Sequence, residues 1–476
     1  MSSSQNNCVL SQDILMEILS RLPIKDIGRL KCVSKGLNRL VSDSTFVKLH
    51  LQRSSKNTHM LLTFEDYHIN RTRNYAVVCP VQELLDHPSS TLKTLHHKHL
   101  PFNRKYNVLG ACNGLVCLQD SCIDDEFEEY WFRIGNPTTR VMTKDSPHIR
   151  LNRRDYWLMF GFGYDEWSDS YQVVLLDNNR NQSQKLEVSV CCLGDTCWRN
   201  TLTCDAVTPM IGLQSRGTCG AFVSGTLNWL VYPRSHCDDK RGPKMNELEI
   251  FCYDLRKETR SFFSMPDGIL EVRAFEPVLK VLNGCLCLSH HHEDNFVVWL
   301  KREFIDEKSW SKLLNINYQD DIDQCPSYMN VICMREKDGA VLVANTVFDA
   351  NFIWYNSRDD RREGREYYGQ DIWSLFSYDY VQSLVFPRRK TSQQSKHKQF
   401  KKDEDEEIAS NDEECDCNPT QALIANFLPN CEISSNSSKL LARAAAQATS
   451  SCFEREPVSL RREGMTAPLF LVRALA

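Results

Sequence analysis

The sequence has no apolar run near the roughly 20 residues that a bilayer-spanning helix requires, so no membrane partner is expected. Its first residues, MSSSQNNCVL, lack the basic stretch and apolar core of a secretory signal. An intracellular setting, cytoplasm or nucleus, is therefore expected, and the 21 cysteines read as small buried hydrophobes rather than disulfides. No two of them stand at the C-x-x-C spacing of a zinc knuckle or redox site. Charge of one sign is also missing: 57 basic against 62 acidic residues leave a net charge of -5, which argues against a nucleic-acid partner.

Catalytic motifs are equally sparse. Ser224 lies in GAFVSG, which is not the G-x-S-x-G elbow of a hydrolase. GFGYDE carries two glycines without a third at phosphate-loop spacing. The densest group of metal-ligand types, His290 to His292 with Glu293 and Asp294, is consecutive and cannot converge on one ion without strain; His96, His97 and His99 fall in a polar stretch. The reading is a chain with no cofactor, no metal and no catalytic residue.

What is present begins at Leu10. Ile14, Leu15, Ile18, Leu19 and Leu22 recur at the spacing of one helical face, and Pro23 is expected to end that helix. Asp26 is expected to cap a second helix with Ile27, Leu30 and Val33, Ser34 a third with Leu37, Leu40 and Val41, and one of Ser42 to Thr45 a fourth with Phe46 and Leu49. A knot of about 40 residues is below the size at which a core usually sustains itself. Cys32 is its only inner cysteine, so the spacing predicts an apolar face covered by another protein.

From Met60 to about Pro387 the pattern changes to short apolar stretches punctuated by Asn-Gly, Ser-Gly, Asp-Gly and Asn-Pro pairs, the mark of strands and tight turns. The best helical windows there are Val81 to Leu85 and Ile305 to Leu314. One theme recurs as GACNGLVCL, GAFVSGTLNWLV, VLNGCLCL and DGAVLVAN, with Gly225, Gly284 and Gly339 each between 50 and 60 residues apart. That period suits a four-stranded propeller blade, about six of them; a β-sandwich is the plainer alternative. Gly161 and Gly163 bracket Phe162, as expected where backbones approach closely. The acidic run Asp124 to Glu129 reads as a solvated hairpin loop, and Trp167 as an aromatic near a loop that is exposed. Beyond Pro387 the chain is charged, poor in aromatics and expected to be disordered.

Leu10, ILSRLP (Ile18 to Pro23), KCVSK (Lys31 to Lys35) and Phe46 resemble an F-box, the module that docks on the Skp-type adaptor of cullin-based ubiquitin ligases. Ser11 stands where that family usually has Pro and Leu37 where it usually has Trp, which implies a weakened dock. ACNGLVCL, NPTTR (Asn136 to Arg140), GFGYD with SYQVV, GTLNWLV, IFCYDLRKE, VLNGCLCL and YVQSLV are similar to the F-box-associated, kelch-type interaction domain of plant F-box proteins. Gly135 replaces a Trp usual before NPTTR.

The resemblance implies an α+β multidomain chain, a helical F-box over residues 8–52, a linker over 53–59 and an all-β propeller-like domain over 60–387, to which composition adds a low-complexity, disordered tail over 388–476. It implies a non-catalytic substrate-recognition subunit, partnered by a Skp-type adaptor and, through it, by cullin and RING subunits, and by a target protein for ubiquitination. Helical spacing within the implied dock singles out Leu10, Ile14, Ile18, Leu22, Pro23, Leu30 and Val33. A scaffold whose F-box no longer docks and a propeller enzyme are the alternatives.

Overall fold

Short polar side chains set the boundaries of the N-terminal helices. Ser11 Oγ accepts the Ile14 N–H at 3.4 Å and opens α1 (Gln12–Leu19). Ser34 Oγ accepts from Leu37 N–H at 3.1 Å ahead of α3 (Lys35–Ser42), and Asp43 Oδ1 from Thr45 N–H at 2.8 Å ahead of α4 (Ser44–Arg53). The expected cap Asp26 is wrong. Pro23 precedes α2 (Ile24–Leu30), while Asp26 sits inside its first turn and pairs with Arg29 at 3.0 Å. Nor does Pro23 itself end α1, which stops at Leu19; the ring holds Leu22 out of helical backbone.

The structure, a computed structural model, describes residues 11–387 apart from 57, 69–70, 96–105, 125, 153–155, 180–184, 206, 210–218, 234–247, 268, 270–276, 293, 307, 318–328, 346–350 and 369–371. Leu10, the histidines at 96, 97 and 99 and the tail over 388–476 lie outside the described residues.

Within the helical unit, Leu19, Leu22, Ile27, Leu30, Leu37, Leu40, Val41 and Phe46 form one core, and Leu384 joins it from the far end of the chain. His50, 4% exposed, donates from Nε2 to Leu22 O at 3.0 Å, and Arg53 Nη1 donates to Glu17 O at 3.0 Å and Ser20 Oγ at 2.6 Å. The end of α4 is thereby tied to the end of α1.

The recurring turn theme is the hairpin between the innermost and second strand of a blade. Asn113 and Gly114 have φ of 52° and 78°, Ser224 and Gly225 51° and 79°, Asn283 and Gly284 51° and 76°. Positive φ at both positions gives the turn whose twist matches paired strands, and small or amide residues meet it cheaply.

Six blades follow among the described residues. One holds β1 (His59–His68) and β2 (Arg71–Pro80); the next β3 (Asn107–Cys112), β4 (Leu115–Ile123), β5 (Phe127–Asn136), β6 (Val141–Met142) and β7 (Ile149–Asn152). The third holds β8 (Tyr156–Asp165), β9 (Ser170–Asn179), β10 (Lys185–Cys192) and β11 (Arg199–Asp205). The fourth holds β12 (Val207–Pro209), β13 (Cys219–Val223), β14 (Thr226–Pro233), β15 (Glu249–Asp254) and β16 (Thr259–Ser264). The fifth holds β17 (Val278–Leu282), β18 (Cys285–His292), β19 (Asn295–Lys301) and β20 (Trp310–Asn317). The sixth holds β21 (Met329–Arg335), β22 (Ala340–Asn345), β23 (Asn351–Asn356) and β24 (Arg361–Tyr367). The ring closes when β25 (Ile372–Tyr380) pairs antiparallel with β1, His59 opposite Tyr380, completing the first blade.

The third and fourth blades share a short parallel pairing, Gly161 opposite Gly220. A Cβ at Gly220 would lie 2.5 Å from the Trp229 ring, and one at Gly163 2.5 Å from Phe222, so the expected close approach is real. Trp229 Nε1 donates to Phe160 O at 3.0 Å across that junction.

Two helical readings need sorting. Val81 to Leu85 is a helix, α5 (Val81–Asp86), followed by α6 (Pro88–Leu95), which the pattern did not announce. Leu84, Leu85 and Leu92 from these helices join the core formed with the sixth blade. Ile305 to Leu314 is not a helix: its second half belongs to β20, where a register shift opposite Val298 and Trp299 leaves consecutive Leu313 and Leu314 both buried and mimics a helical period.

Candidate functional site: the helical unit and its seat on the ring

Helix α1 is amphipathic, yet of its residues only Leu19 is buried. Ile14 is 48% exposed, and Leu15, Met16 and Ile18 are each partly so. Pro23 is exposed and Val33 half-buried. Leu15, Met16, Ile18 and Val33 pack partly against the helical core, and the apolar surface that they and Ile14 leave uncovered is of the kind that association covers.

The sequence-expected docking set therefore divides. Ile14, Ile18, Pro23 and Val33 have surface available to a partner. Leu22, 4% exposed, and Leu30, 2% exposed, lie inside the helical core. The physical reason is that three helices of seven or eight residues turn sharp corners, so one helical spacing supplies both the inner and the outer face. Leu10 is not among the described residues.

Beneath the unit, α4 reaches the ring. Lys48 Nζ lies 2.7 Å from Asp169 Oδ2, in the hairpin between β8 and β9. After β25 the chain runs back under the helices as a strap. Fully buried Asn136 clasps it, Nδ2 donating to Ser383 O at 3.0 Å and Val385 O at 2.7 Å, while Oδ1 accepts from Thr138 N–H at 2.8 Å. Leu384, 5% exposed, thus enters the helical core. Sequence reasoning missed Leu384, which has no periodic neighbours, whereas Asn136 was legible as a turn amide but not as a clasp.

The groups weighed for chemistry take structural roles. His290 and His291 are 3% and 6% exposed on strand β18, and burial pushes each down to about 4, so both rings are neutral at neutral pH. His290 Nε2 accepts from Trp299 Nε1 at 3.1 Å. Among the described residues no three His, Cys, Asp or Glu side chains are grouped as a metal site. Ser224 belongs to a hairpin turn at φ 51°. Cys112 and Cys117 are free, and burial pushes both thiols well up, away from nucleophilic thiolate. Asp124 and Glu126 lie in the expected hairpin loop, Asp124 Oδ1 accepting from Glu126 N–H at 2.9 Å and from Phe127 N–H, whereas Glu128 and Glu129 belong to β5 and are half-buried. Trp167 is 76% exposed, with the Arg256 guanidinium 4.3 Å from its ring centroid.

Residues 59–366 match the family model described as the F-box associated beta propeller domain, and residues 8–49 match the F-box domain. The F-box/kelch-repeat protein At3g23880 of Arabidopsis thaliana is 28% identical over 318 residues, 64% of this chain and 79% of that protein. F-box protein CPR1 of the same plant is 24% identical over 370 residues, 73% and 82% of the two chains. Among solved structures, the β-propeller domain of the Trilobed protease from Pyrococcus furiosus overlaps with a TM-score of 0.29 at 8% identity, covering 67% of this chain and 96% of that one. That overlap bears no weight here, and the blade count rests on the strand pairing. No helix among the described residues is long and apolar enough to cross a membrane.

Proposed function

Since the chain belongs to the F-box associated beta propeller family and carries an F-box ahead of its ring, we propose that it is the substrate-recognition subunit of a Skp–cullin–F-box ubiquitin ligase. The F-box docks on the Skp-type adaptor, through which cullin and RING subunits are joined, and the propeller holds a target protein. The subunit itself is non-catalytic: it raises the effective concentration of target near the charged conjugating enzyme. The observation that supports docking most directly is the exposed Ile14 on α1, with Ile18 only partly covered, while Leu19, Leu22 and Leu30 close the helical core. Ser11 caps α1 and Leu37 is 7% exposed in the core, so both departures from the family pattern are absorbed structurally.

Co-purification of the full chain with a Skp-type adaptor tests the reading. Wild type is expected to form a complex and Ile14→Asp to lose it by about tenfold or more, since a charge placed in a desolvated apolar contact costs several kcal/mol. A folded wild-type chain that ignores the adaptor, or an Ile14→Asp chain that binds equally, overturns the proposal.

A further inference from the structure

Under α3 and α4 the innermost strands of the six blades surround a cavity of about 1080 Å³. Leu109, Phe222 and Leu384 supply apolar wall; Lys280, Asn330 and Asp379 supply polar wall. The polar groups are incompletely used. Lys280 Nζ donates to Val331 O at 2.7 Å and to Ser377 Oγ, leaving a third N–H. Asp379 Oδ2 accepts from Gly284 N–H at 2.8 Å, but its Oδ1 is buried without a partner. Asn330, 5% exposed, donates from Nδ2 to Leu375 O at 2.9 Å while its Oδ1 is likewise buried and unpartnered.

These groups are strung along one line. Ser377 lies between Leu375 and Asp379 on β25, so Asn330 sits roughly 13 Å deeper than Asp379, with Lys280 between them. Burial pushes the Lys280 ammonium down and the Asp379 carboxyl up, and each charge offsets part of the other's penalty across the cavity. Each orphaned acceptor costs about 1–3 kcal/mol. A buried water is the usual remedy, yet this cavity has the size of a small-molecule site, about 300–1,000 Å³, and a largely apolar wall. An anionic occupant would meet Asp379 and a cationic one Lys280; a neutral dipole meets both.

We propose that the channel mouth binds a small uncharged molecule bearing a carboxamide on an apolar body. Its carbonyl accepts from Lys280, its NH₂ donates to the Asp379 carboxylate, and its body lies against Leu109 and Phe222.

Saturation-transfer NMR on the full chain tests this with benzamide, benzoate and benzylamine as probes. Benzamide is expected to bind with a dissociation constant on the order of millimolar, as suits a probe of about nine heavy atoms, and the charged probes at least about tenfold more weakly. Asp379→Asn, whose free end can present an NH₂ to the probe's own NH₂, is expected to weaken benzamide about tenfold, and Lys280→Met likewise should the first variant misfold. Benzoate or benzylamine binding as well as benzamide, no probe binding at all, or variants that bind benzamide unchanged would overturn the site. Adaptor binding is measured on the same samples, so failure here is separable from failure of the docking proposal.

Discussion

Lys48 on α4 and Asp169 on the β8–β9 hairpin, 2.7 Å apart, mark where the helical unit touches the ring, but they do little to hold it there. Their side chains are 53% and 48% exposed, and such pairs contribute about 0–1 kcal/mol. The stronger tie is Leu384, which the strap adds to the apolar core of the helical unit.

Replacement of Leu384 by Ala should accordingly cost about 2–5 kcal/mol and loosen the helical unit from the ring, whereas Lys48→Ala should change stability by less than about 1 kcal/mol. Limited proteolysis between α4 and β1 reads the difference: Leu384→Ala is expected to be cleaved there faster than wild type, and Lys48→Ala at the wild-type rate. Equal rates for all three would count against the strap as the main tie.

Asn136→Ala leaves the Ser383 and Val385 carbonyls without their donor and the Thr138 N–H without its acceptor. A loss of about 2–4 kcal/mol is expected, since each buried orphan costs roughly 1–3. Urea denaturation at neutral pH measures it, and a loss below 1 kcal/mol would show that water replaces the clasp.

Acid should destabilise the fifth blade. The folded pKa values of His290 and His291, about 4, lie below the ordinary value of 6.5, so the unfolded chain binds more protons between those limits. Their contribution to stability is full above pH 6.5, falls as pH drops toward 4 and levels off below. Asp177, pushed up to about 6 by burial and then by Glu187, works in the opposite direction in the same range. The double variant His290→Gln, His291→Gln is therefore expected to lose less stability than wild type between pH 7 and pH 5. Denaturation curves at the two pH values decide it; parallel losses would mean the histidines are not the cause.

Gly220→Ala is expected to destabilise by about 1–3 kcal/mol, because its Cβ would lie 2.5 Å from a Trp229 ring that is 3% exposed and fixed by its bond to Phe160 O. Gly225→Ala meets nothing within 4 Å and acts only through its φ of 79°, at a cost of about 1–2 kcal/mol. Thermal unfolding of the pair separates packing from backbone strain: Gly220→Ala should be rescued by a smaller residue at Trp229, and Gly225→Ala should not.

The ring was legible because Asn113-Gly114, Ser224-Gly225 and Asn283-Gly284 declare their turn chemistry locally. Ile305 to Leu314 misled because a register shift makes two adjacent leucines face inward, a tertiary event with no local sign. On the helical unit, spacing grouped Ile14 and Ile18 with Leu22 and Leu30 but could not tell the more exposed pair from the buried one, since which side of a short helix faces outward depends on how its neighbours fold over it. Leu384 was beyond any pattern. It is a single leucine in YVQSLV whose partners lie more than 300 residues earlier.

The first and last strands of the propeller share one blade, with the helical unit leading into β1 and the strap leaving β25. A growing chain therefore makes the helical unit before the ring, and the residue that secures it only after the ring's closing strand. Any product halted before Ile372 lacks both the closing strand and Leu384, so an unfinished molecule has neither a closed ring nor a firm seat for its helical unit. Synthesis past Leu384 is thus a condition of a closed and seated molecule, enforced by topology alone.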